Sequence, residues 1–216
     1  HHRLQGAFGY FEGEHDAYRS LGCGHKRIVL HFGNELSVVA DLVRCREQVS
    51  TLLFNLQLAE GSVDALGRNL FRFTAARDGS AHYLRFFGPV HLAPEIAEGR
   101  VYPDYGASVP APRVVIADKG VRGDVAIVTL LSSDRGLLES FSYDGSSRLA
   151  GASRARRYDL SFEPLPADPG VPGDEAVAAK VTAAVEEGGK TLSFRRNAGG
   201  ADGWTGALEI SRGVGV

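Results

Sequence analysis

Hydrophobic and polar residues alternate along most of this chain, and a period of two is the pattern of a β-strand with one buried face. The alternation is clear from residue 25 to residue 32, where three hydrophobic residues share one face: Ile28, Leu30 and Phe32. The other face of this segment carries His25, Arg27, Val29 and His31. The segment therefore predicts a half-buried strand.

Turn residues divide the alternating segments into hairpins. Gly33 and Asn34 separate the first strand from one predicted over 35–43, and Asp78-Gly79 separates strands predicted over 70–75 and 81–87. A separate strand is predicted over 49–58. The remaining strand-like segments are 113–117 and 125–131 around a Gly-containing turn, 138–143, 157–162, and a closing hairpin of 190–196 with 204–211.

These patterns predict an all-β fold of about ten strands, arranged as an antiparallel β-sandwich or as stacked sheets. One short helix is expected over 175–187, capped by Asp174, although its Val and Ala content also permits a strand. The Pro- and Gly-rich segment 164–173 predicts a linker. We therefore divide the chain into a sandwich domain (1–163), that linker, and an extension (174–216) that packs on the same sheets.

Composition narrows the classes of function. The chain has 216 residues, 44% of them hydrophobic and 23% charged, which is typical of a globular protein. Its net charge of −2 argues against general binding to nucleic acid or anionic membranes. No apolar run is long enough to predict a membrane span. Cys23 and Cys45 are the only cysteines, and the sequence leaves open whether they pair.

The segment 10–19 concentrates groups that can carry chemistry: Tyr10, Glu12, Glu14, His15, Asp16, Tyr18 and Arg19. Histidine and tyrosine can transfer protons, and arginine can hold a carboxylate through two hydrogen bonds. The competing interpretation is a solvated surface turn. His15, His25 and His31 match no zinc spacing, so we assign no metal ligands.

The order of several segments resembles the C-terminal β-sheet region of heparinase II/III-like polysaccharide lyases. The resemblance covers about residues 9–135 and rests on these stretches: GEHDAY (13–18), HKRIVL (25–30), LSVVAD (36–41), NLQLAEG (55–61), GRVYPDYG (99–106) and TLL (129–131). It implies a periplasmic or secreted bacterial protein. In that family a helical barrel packs on stacked antiparallel sheets, and the cleft between them cleaves uronate-containing acidic polysaccharides by β-elimination.

The resemblance also implies roles for particular residues. Because the segment 14–19 aligns with one that borders the cleft, His15 and Tyr18 are candidate catalytic residues. Candidate substrate-binding residues are Tyr10, Glu14, Arg19 and Arg27. The family admits a structural or catalytic divalent metal, but no site for one is identifiable here, so the cofactor stays unknown.

This sequence departs from the family pattern because it contains neither the helical barrel nor the histidine-rich strand that opens the sheet domain. We therefore expect an N-terminal helical domain as partner, an exposed apolar patch where it docks, and no activity from this chain alone. The alternative is a non-catalytic carbohydrate-binding or structural β-sandwich module, with an aromatic platform that involves Tyr102, Tyr105 or Trp204. A third interpretation is an unrelated sandwich that shares only the strand rhythm.

Overall fold

The computed structural model describes residues 2–5, 8–15, 18–89, 91–164, 179–188, 190–198 and 206–212. Most of these residues belong to antiparallel strands, which form two sheets. The all-β, stacked-sheet prediction is confirmed. No helix in the described part of the chain has the length and apolar character needed to cross a membrane.

The larger sheet contains the first nine strands. They are β1 (His2–Gln5), β2 (Phe8–His15), β3 (Cys23–Phe32), β4 (Leu36–Gln57), β5 (Gly61–Ala65), β6 (Leu70–Ala75), β7 (Ala81–Phe87), β8 (Pro94–Val101) and β9 (Val109–Ser132). Their spatial order is β1-β2-β3-β4-β9-β7-β6-β5, and β8 pairs with β9. A short 3-10 turn, Arg19–Leu21, connects β2 to β3.

The smaller sheet contains six strands in sequence order. They are β10 (Ser142–Tyr143), β11 (Arg148–Ala152), β12 (Arg156–Pro164), β13 (Ala179–Glu187), β14 (Lys190–Ala198) and β15 (Gly206–Arg212). The antiparallel pair β14–β15 confirms the closing hairpin. Because β12 pairs with β13, one sheet includes residues from both sides of the expected linker. Residues 165–178 lie outside the described part, and the division into domains stays a prediction.

One predicted turn and one predicted break between strands are wrong, because the chain continues through both places as a long strand. β4 runs through the gap between 43 and 49, with a register shift between Cys45 and Val49, and β9 runs through the expected hairpin turn near 120. Gly120 and Gly123 have positive φ angles of 66° and 88°. These left-handed positions bend β9 without reversing it, as in a β-bulge.

At two segments the observed secondary structure differs from the predicted one, with a helix in place of a strand or a strand in place of a helix. The segment predicted as a strand over 138–143 begins as the helix α1 (Arg135–Ser140), because the Asp134 side chain accepts a hydrogen bond from the Leu137 backbone N–H at 3.2 Å. The helix predicted over 175–187 is wrong from residue 179 onward, where β13 forms. Its Val181, Ala183 and Val185 alternate into the interior, which is the strand alternative for that segment.

Two cores lie on opposite faces of the larger sheet. The first fills the space between the sheets and includes Leu30, Val38, Phe162 and Val181. The second lies on the other face, toward β6 and β7, and includes Phe71, Phe86, Ile116 and Ile127. In each core, hydrophobic side chains from alternate positions of the strands are removed from water. This burial is the main contribution that stabilises the folded state.

Candidate functional site

The candidate site lies on the face of β2, β3 and β4 that points away from the smaller sheet. Strand register sets it, because Gly13 pairs with Arg27, Arg27 pairs with Asp41, and His15 pairs with His25. Residues opposite each other in an antiparallel ladder project to the same face. We call the group formed by Phe11, His15, Tyr18, His25, Arg27 and Asp41 the β2–β4 shelf.

A buried carboxylate organises the inner side of this shelf. Asp41 accepts a hydrogen bond from Arg27 Nε at 2.7 Å and another from Arg27 Nη2 at 3.1 Å. The second partner is His25, whose Nε2 lies 2.8 Å from Asp41 Oδ1. This arrangement is a charge-assisted fork that also fixes the orientation of an imidazole ring.

The protonation of Asp41 reflects this environment. Its side chain is only 7% exposed. Burial alone would raise the pKa of the carboxyl, but the hydrogen bonds and charges of His25 and Arg27 outweigh burial, so the pKa lies below its usual value of 3.8. Asp41 is therefore an anion at neutral pH and balances the positive charge of Arg27.

The outer side of the shelf brings together the two candidate catalytic residues. The rings of His15 and Tyr18 lie 5.2 Å apart between centroids, with an interplanar angle of 36°. The backbone carbonyl of Tyr18 accepts hydrogen bonds from Leu21 N at 2.9 Å and Cys23 N at 3.1 Å. These bonds hold the short connection against the start of β3 and present the exposed Tyr18 side chain beside His15.

Apolar side chains border this pair. Phe11 shares the face of His15 on β2, and a Cβ at Gly13 would lie 3.4 Å from the Phe11 ring. The glycine therefore leaves space for that ring to extend over the strand. Phe11, Tyr18 and Leu21 are all strongly exposed. An exposed apolar surface at a polar cluster is a frequent property of interaction sites.

The structure separates the predicted site residues. His15, Tyr18 and Arg27 lie on the β2–β4 shelf, but Tyr10 and Glu14 occupy the alternate positions of β2 and face the other way. Tyr10 is 2% exposed and packs against Phe194 at 4.7 Å between ring centroids. The Arg19 side chain lies outside the described part of the chain. The predicted roles of all six residues are untested by the geometry and stay predictions.

Tyr10 and Glu14 each have a structural partner on the face of β2 that points toward the smaller sheet. The Tyr10 hydroxyl donates a hydrogen bond to the Glu12 carboxylate. Glu14 forms an ion pair with the buried Lys26, with Nζ and Oε2 3.8 Å apart. A buried ammonium group needs such a partner, since an unpaired charge in the interior is strongly destabilising. Any contact of either residue with substrate would be additional to these partners.

Sequence reasoning missed Asp41 and the role of His25. The signal was present: the inward positions of β4 are Leu36, Val38, Ala40 and Leu42, so Asp41 had to face outward like His25 and Arg27. What the pattern lacked was the register of β3 against β4, which brings these three together. A single strand pattern gives no register.

The described residues do not fit a metal ion. Within that part of the chain, no group of three or more His, Cys, Asp or Glu side chains is placed to hold one. On the shelf, the carboxylate of Asp41 next to His25 is already bonded to the guanidinium of Arg27. The shelf combines histidine and tyrosine, residue types that can transfer protons, with the charged side chains of Arg27 and Asp41.

No family model and no curated protein matches this sequence. Solved structures do match the fold. A heparinase III structure aligns with a TM-score of 0.58 at 18% identity and covers 91% of this chain and 27% of that chain. A second heparinase III structure has a TM-score of 0.56 at 16% identity, with coverages of 90% and 26%.

The heparan sulfate lyase HepC from Pedobacter heparinus also matches, with a TM-score of 0.52 at 14% identity, over 98% of this chain and 27% of that chain. This chain thus spans about a quarter of the length of the structures it matches. At such identities the likeness is one of fold. The resemblance to heparinase-like polysaccharide lyases is confirmed at that level: this chain has the fold of a β-sheet portion of heparinase III structures.

Proposed function

We propose that this chain is the C-terminal β domain of a heparinase II/III-like polysaccharide lyase that acts on a uronate-containing acidic polysaccharide. The observation that carries the proposal is the fold shared with heparinase III structures over 91% of this chain. The proposal includes an N-terminal helical domain as partner. It also includes a periplasmic or secreted location in a bacterium, where the protein would have access to such polysaccharides.

The reaction proposed is β-elimination. A base removes the proton from the carbon next to the uronate carboxylate, the electron pair forms a carbon–carbon double bond, and the glycosidic oxygen leaves from the neighbouring carbon and takes up a proton. The His15–Tyr18 pair supplies two groups able to give and take protons at one exposed position. We assign the proton transfers of the β domain to these two residues.

Arg27 and Asp41 have supporting roles: Arg27 contributes positive charge, and Asp41 positions His25. Because Arg27 Nε and Nη2 are both bonded to Asp41, the fork of this guanidinium is engaged inside the protein. Its positive charge still lies at the surface, where the side chain is 45% exposed. Arg27 therefore contributes attraction to an acidic polysaccharide through its field, and Asp41 holds His25 in place at the inner wall of the cleft.

The apolar rim of the shelf gives the helical partner a place to dock. Phe11 is exposed on β2, and Tyr18 and Leu21 are exposed in the connection from β2 to β3, which also contributes to the His15–Tyr18 pair. Burying them against helices would enclose that pair in a cleft and exclude water from the reacting groups. Such exclusion strengthens electrostatic interactions in a site.

The test compares this chain alone with a longer protein that joins it to its helical domain, on heparan sulfate, heparin, hyaluronan and alginate. The readout is the ultraviolet absorbance of the unsaturated uronate product. We expect absorbance from the longer protein only, and at least a tenfold loss in its His15→Ala and Tyr18→Phe variants. His82→Ala is the matched control, because His82 is an exposed histidine on β7, away from the shelf.

Two outcomes would contradict the proposal. Product formation by this chain alone would overturn the need for a helical partner. The absence of product from the longer protein on all four polysaccharides, with its fold intact by circular dichroism, would overturn the lyase assignment.

A second candidate function, a non-catalytic carbohydrate-binding module, is favoured by one specific observation. Tyr102 is 73% exposed, and Tyr105 nearby is fully exposed, in the connection after β8. Exposed aromatic rings are suited to stacking on sugar rings. Retarded migration of the chain in a polysaccharide-containing gel, lost in a Tyr102→Ala/Tyr105→Ala variant and kept in His15→Ala, would support this function over the lyase domain.

A further inference from the structure

We propose that Cys23 and Cys45 form a disulfide that links the start of β3 to the middle of β4. The two residues are direct partners in the antiparallel register of these strands. Their sulfur atoms lie 2.6 Å apart, closer than two unbonded sulfurs normally approach. They are the only cysteines of the chain, so neither has a competing partner within it.

The hydrogen-bond pattern favours a bridge at this pair. Arg46 N donates to Gly22 O at 3.0 Å, which makes Gly22 and Arg46 a hydrogen-bonded pair of the ladder. Because hydrogen-bonded and non-hydrogen-bonded pairs alternate, Cys23 and Cys45 form a non-hydrogen-bonded pair. In agreement, Cys23 N donates to Tyr18 O and not across to β4. Such pairs have Cα atoms about 4.5 Å apart, within the range that a disulfide spans.

The bridge forms by thiol–disulfide exchange with a disulfide-containing oxidant, either a small molecule or an oxidoreductase. Each cysteine loses its proton, the pair loses two electrons as the S–S bond forms, and the oxidant's disulfide is reduced to two thiols. Both cysteines are buried, at 4% and 1% exposure. Burial, with the neighbouring Cys23 thiol, also raises the pKa of the Cys45 thiol to about 12. Exchange therefore has to occur during folding, before the pair is enclosed.

The bridge would secure the connection that presents Tyr18. Cys23 lies two residues after Leu21, and its backbone N–H is bonded to the Tyr18 carbonyl. Cys45 lies at the register shift of β4, where the ladder to β9 is interrupted before Val49. A covalent link from β3 to β4 at this point reinforces the sheet beside the interrupted β4–β9 ladder and limits the freedom of the Tyr18 connection.

The experiment refolds this chain with a mixture of oxidised and reduced glutathione and counts thiols in guanidinium chloride. We expect no free thiol, a Cys23–Cys45 linked peptide by mass spectrometry, and a Tm roughly 5 to 10 °C higher than that of the reduced protein. The Cys23→Ala/Cys45→Ala variant is the control, and its Tm is expected to be insensitive to reductant. Alkylation should be slow in the folded, reduced protein and fast after denaturation.

Two free thiols per chain after oxidative refolding, or disulfides only between chains, would overturn the proposal. Circular dichroism of the double-alanine variant makes the result interpretable, because it shows whether the fold forms without either sulfur. The outcome is independent of the lyase proposal, since thiol counting requires no substrate.

Discussion

At the scale of single residues, Asp41 shows how a polar group comes to lie inside a β-sheet face. A carboxylate buried without partners would favour its neutral form, but the Arg27 fork and the His25 ring supply three hydrogen bonds. The anion is thus the stable form in the folded state. Its stabilising contribution depends on pH, because the unfolded chain loses those partners.

The Asp41→Asn variant tests this dependence. At pH 7 we expect it to lose about 1–3 kcal/mol of unfolding free energy, since charged hydrogen bonds to Arg27 are lost. The pKa of Asp41 in the folded state lies below the unfolded value of 3.8, so the unfolded chain binds more protons as pH falls below about 5. The difference between wild type and variant should therefore be full above pH 5 and shrink as pH falls below 3.8.

Urea denaturation at a series of pH values between 2 and 7 measures this difference. Asp64→Asn is the matched control, because Asp64 pairs with Arg72 at the surface and both side chains are about half exposed. The control should change stability by less than about 1 kcal/mol. A constant difference between wild type and Asp41→Asn down to pH 2 would contradict the assigned partners.

At the scale of strands, close contacts between neighbouring strands require glycine at particular positions. A Cβ on Gly61, the first residue of β5, would lie 2.2 Å from the Thr74 carbonyl oxygen and 2.7 Å from the Phe73 ring. A backbone carbonyl cannot move away from an added Cβ as easily as the end of a flexible side chain can. The β5–β6 hairpin therefore depends on glycine at position 61 for space, and not for a left-handed backbone angle.

We predict that Gly61→Ala destabilises the protein by about 1–3 kcal/mol, the usual cost of overpacking. Gly67→Ala is the control, because a Cβ there would meet nothing within 4 Å. Thermal unfolding of the two variants side by side tests the difference. Equal Tm values for the two alanine variants would show that β5 moves away from β6 at little cost.

At the scale of the whole molecule, Arg156 joins the two sheets by charge as well as by packing. Its Nη1 lies 3.1 Å from Glu35 Oε2, in the turn between β3 and β4, and its Nη2 lies 3.1 Å from Glu187 Oε2 on β13. The Arg156–Glu35 pair is about one quarter exposed on each side. Water therefore screens it less than it screens a surface pair.

A double-mutant cycle with Arg156→Ala and Glu35→Ala should give a coupling energy of roughly 1 kcal/mol. The Arg148–Asp159 pair within the smaller sheet is the comparison, because both of its side chains are about half exposed or more. For that pair we expect a coupling at the low end of the range for surface pairs. Additive effects of Arg156→Ala and Glu35→Ala would show that the sheets are held together by apolar packing alone.

Local patterns were sufficient for some features of this protein. Alternation along residues 25–32 and 35–43 identified strands β3 and β4 and assigned each residue to a face, because side chains of a strand project alternately. The same rule shows why Tyr10 and His15, predicted as parts of one site, lie on opposite faces: they are an odd number of positions apart in one strand. Strand alternation alone predicts that separation, whereas the polar composition of segment 10–19 predicts a single cluster.

Other features were beyond local patterns. The glycines near 120 predict a turn, and only the pairing of β9 with β4 and β7 decides that the strand continues. The segment 179–187 carries a pattern compatible with helix or strand, and partners on both sides, β12 and β14, decided for a strand. In both cases hydrogen bonds to distant strands outweighed local preference, because a strand is satisfied only by its neighbours.

By itself the sequence determined the all-β class, the inward and outward positions of the central strands, and the resemblance to heparinase-like lyases. Tertiary structure alone decided which residues meet: Asp41 with His25 and Arg27, His15 with Tyr18, and Cys23 with Cys45. The physical reason is register. Alternation specifies a face, but the sliding of one strand along another is set by packing of both cores and by the turns, which no single segment contains.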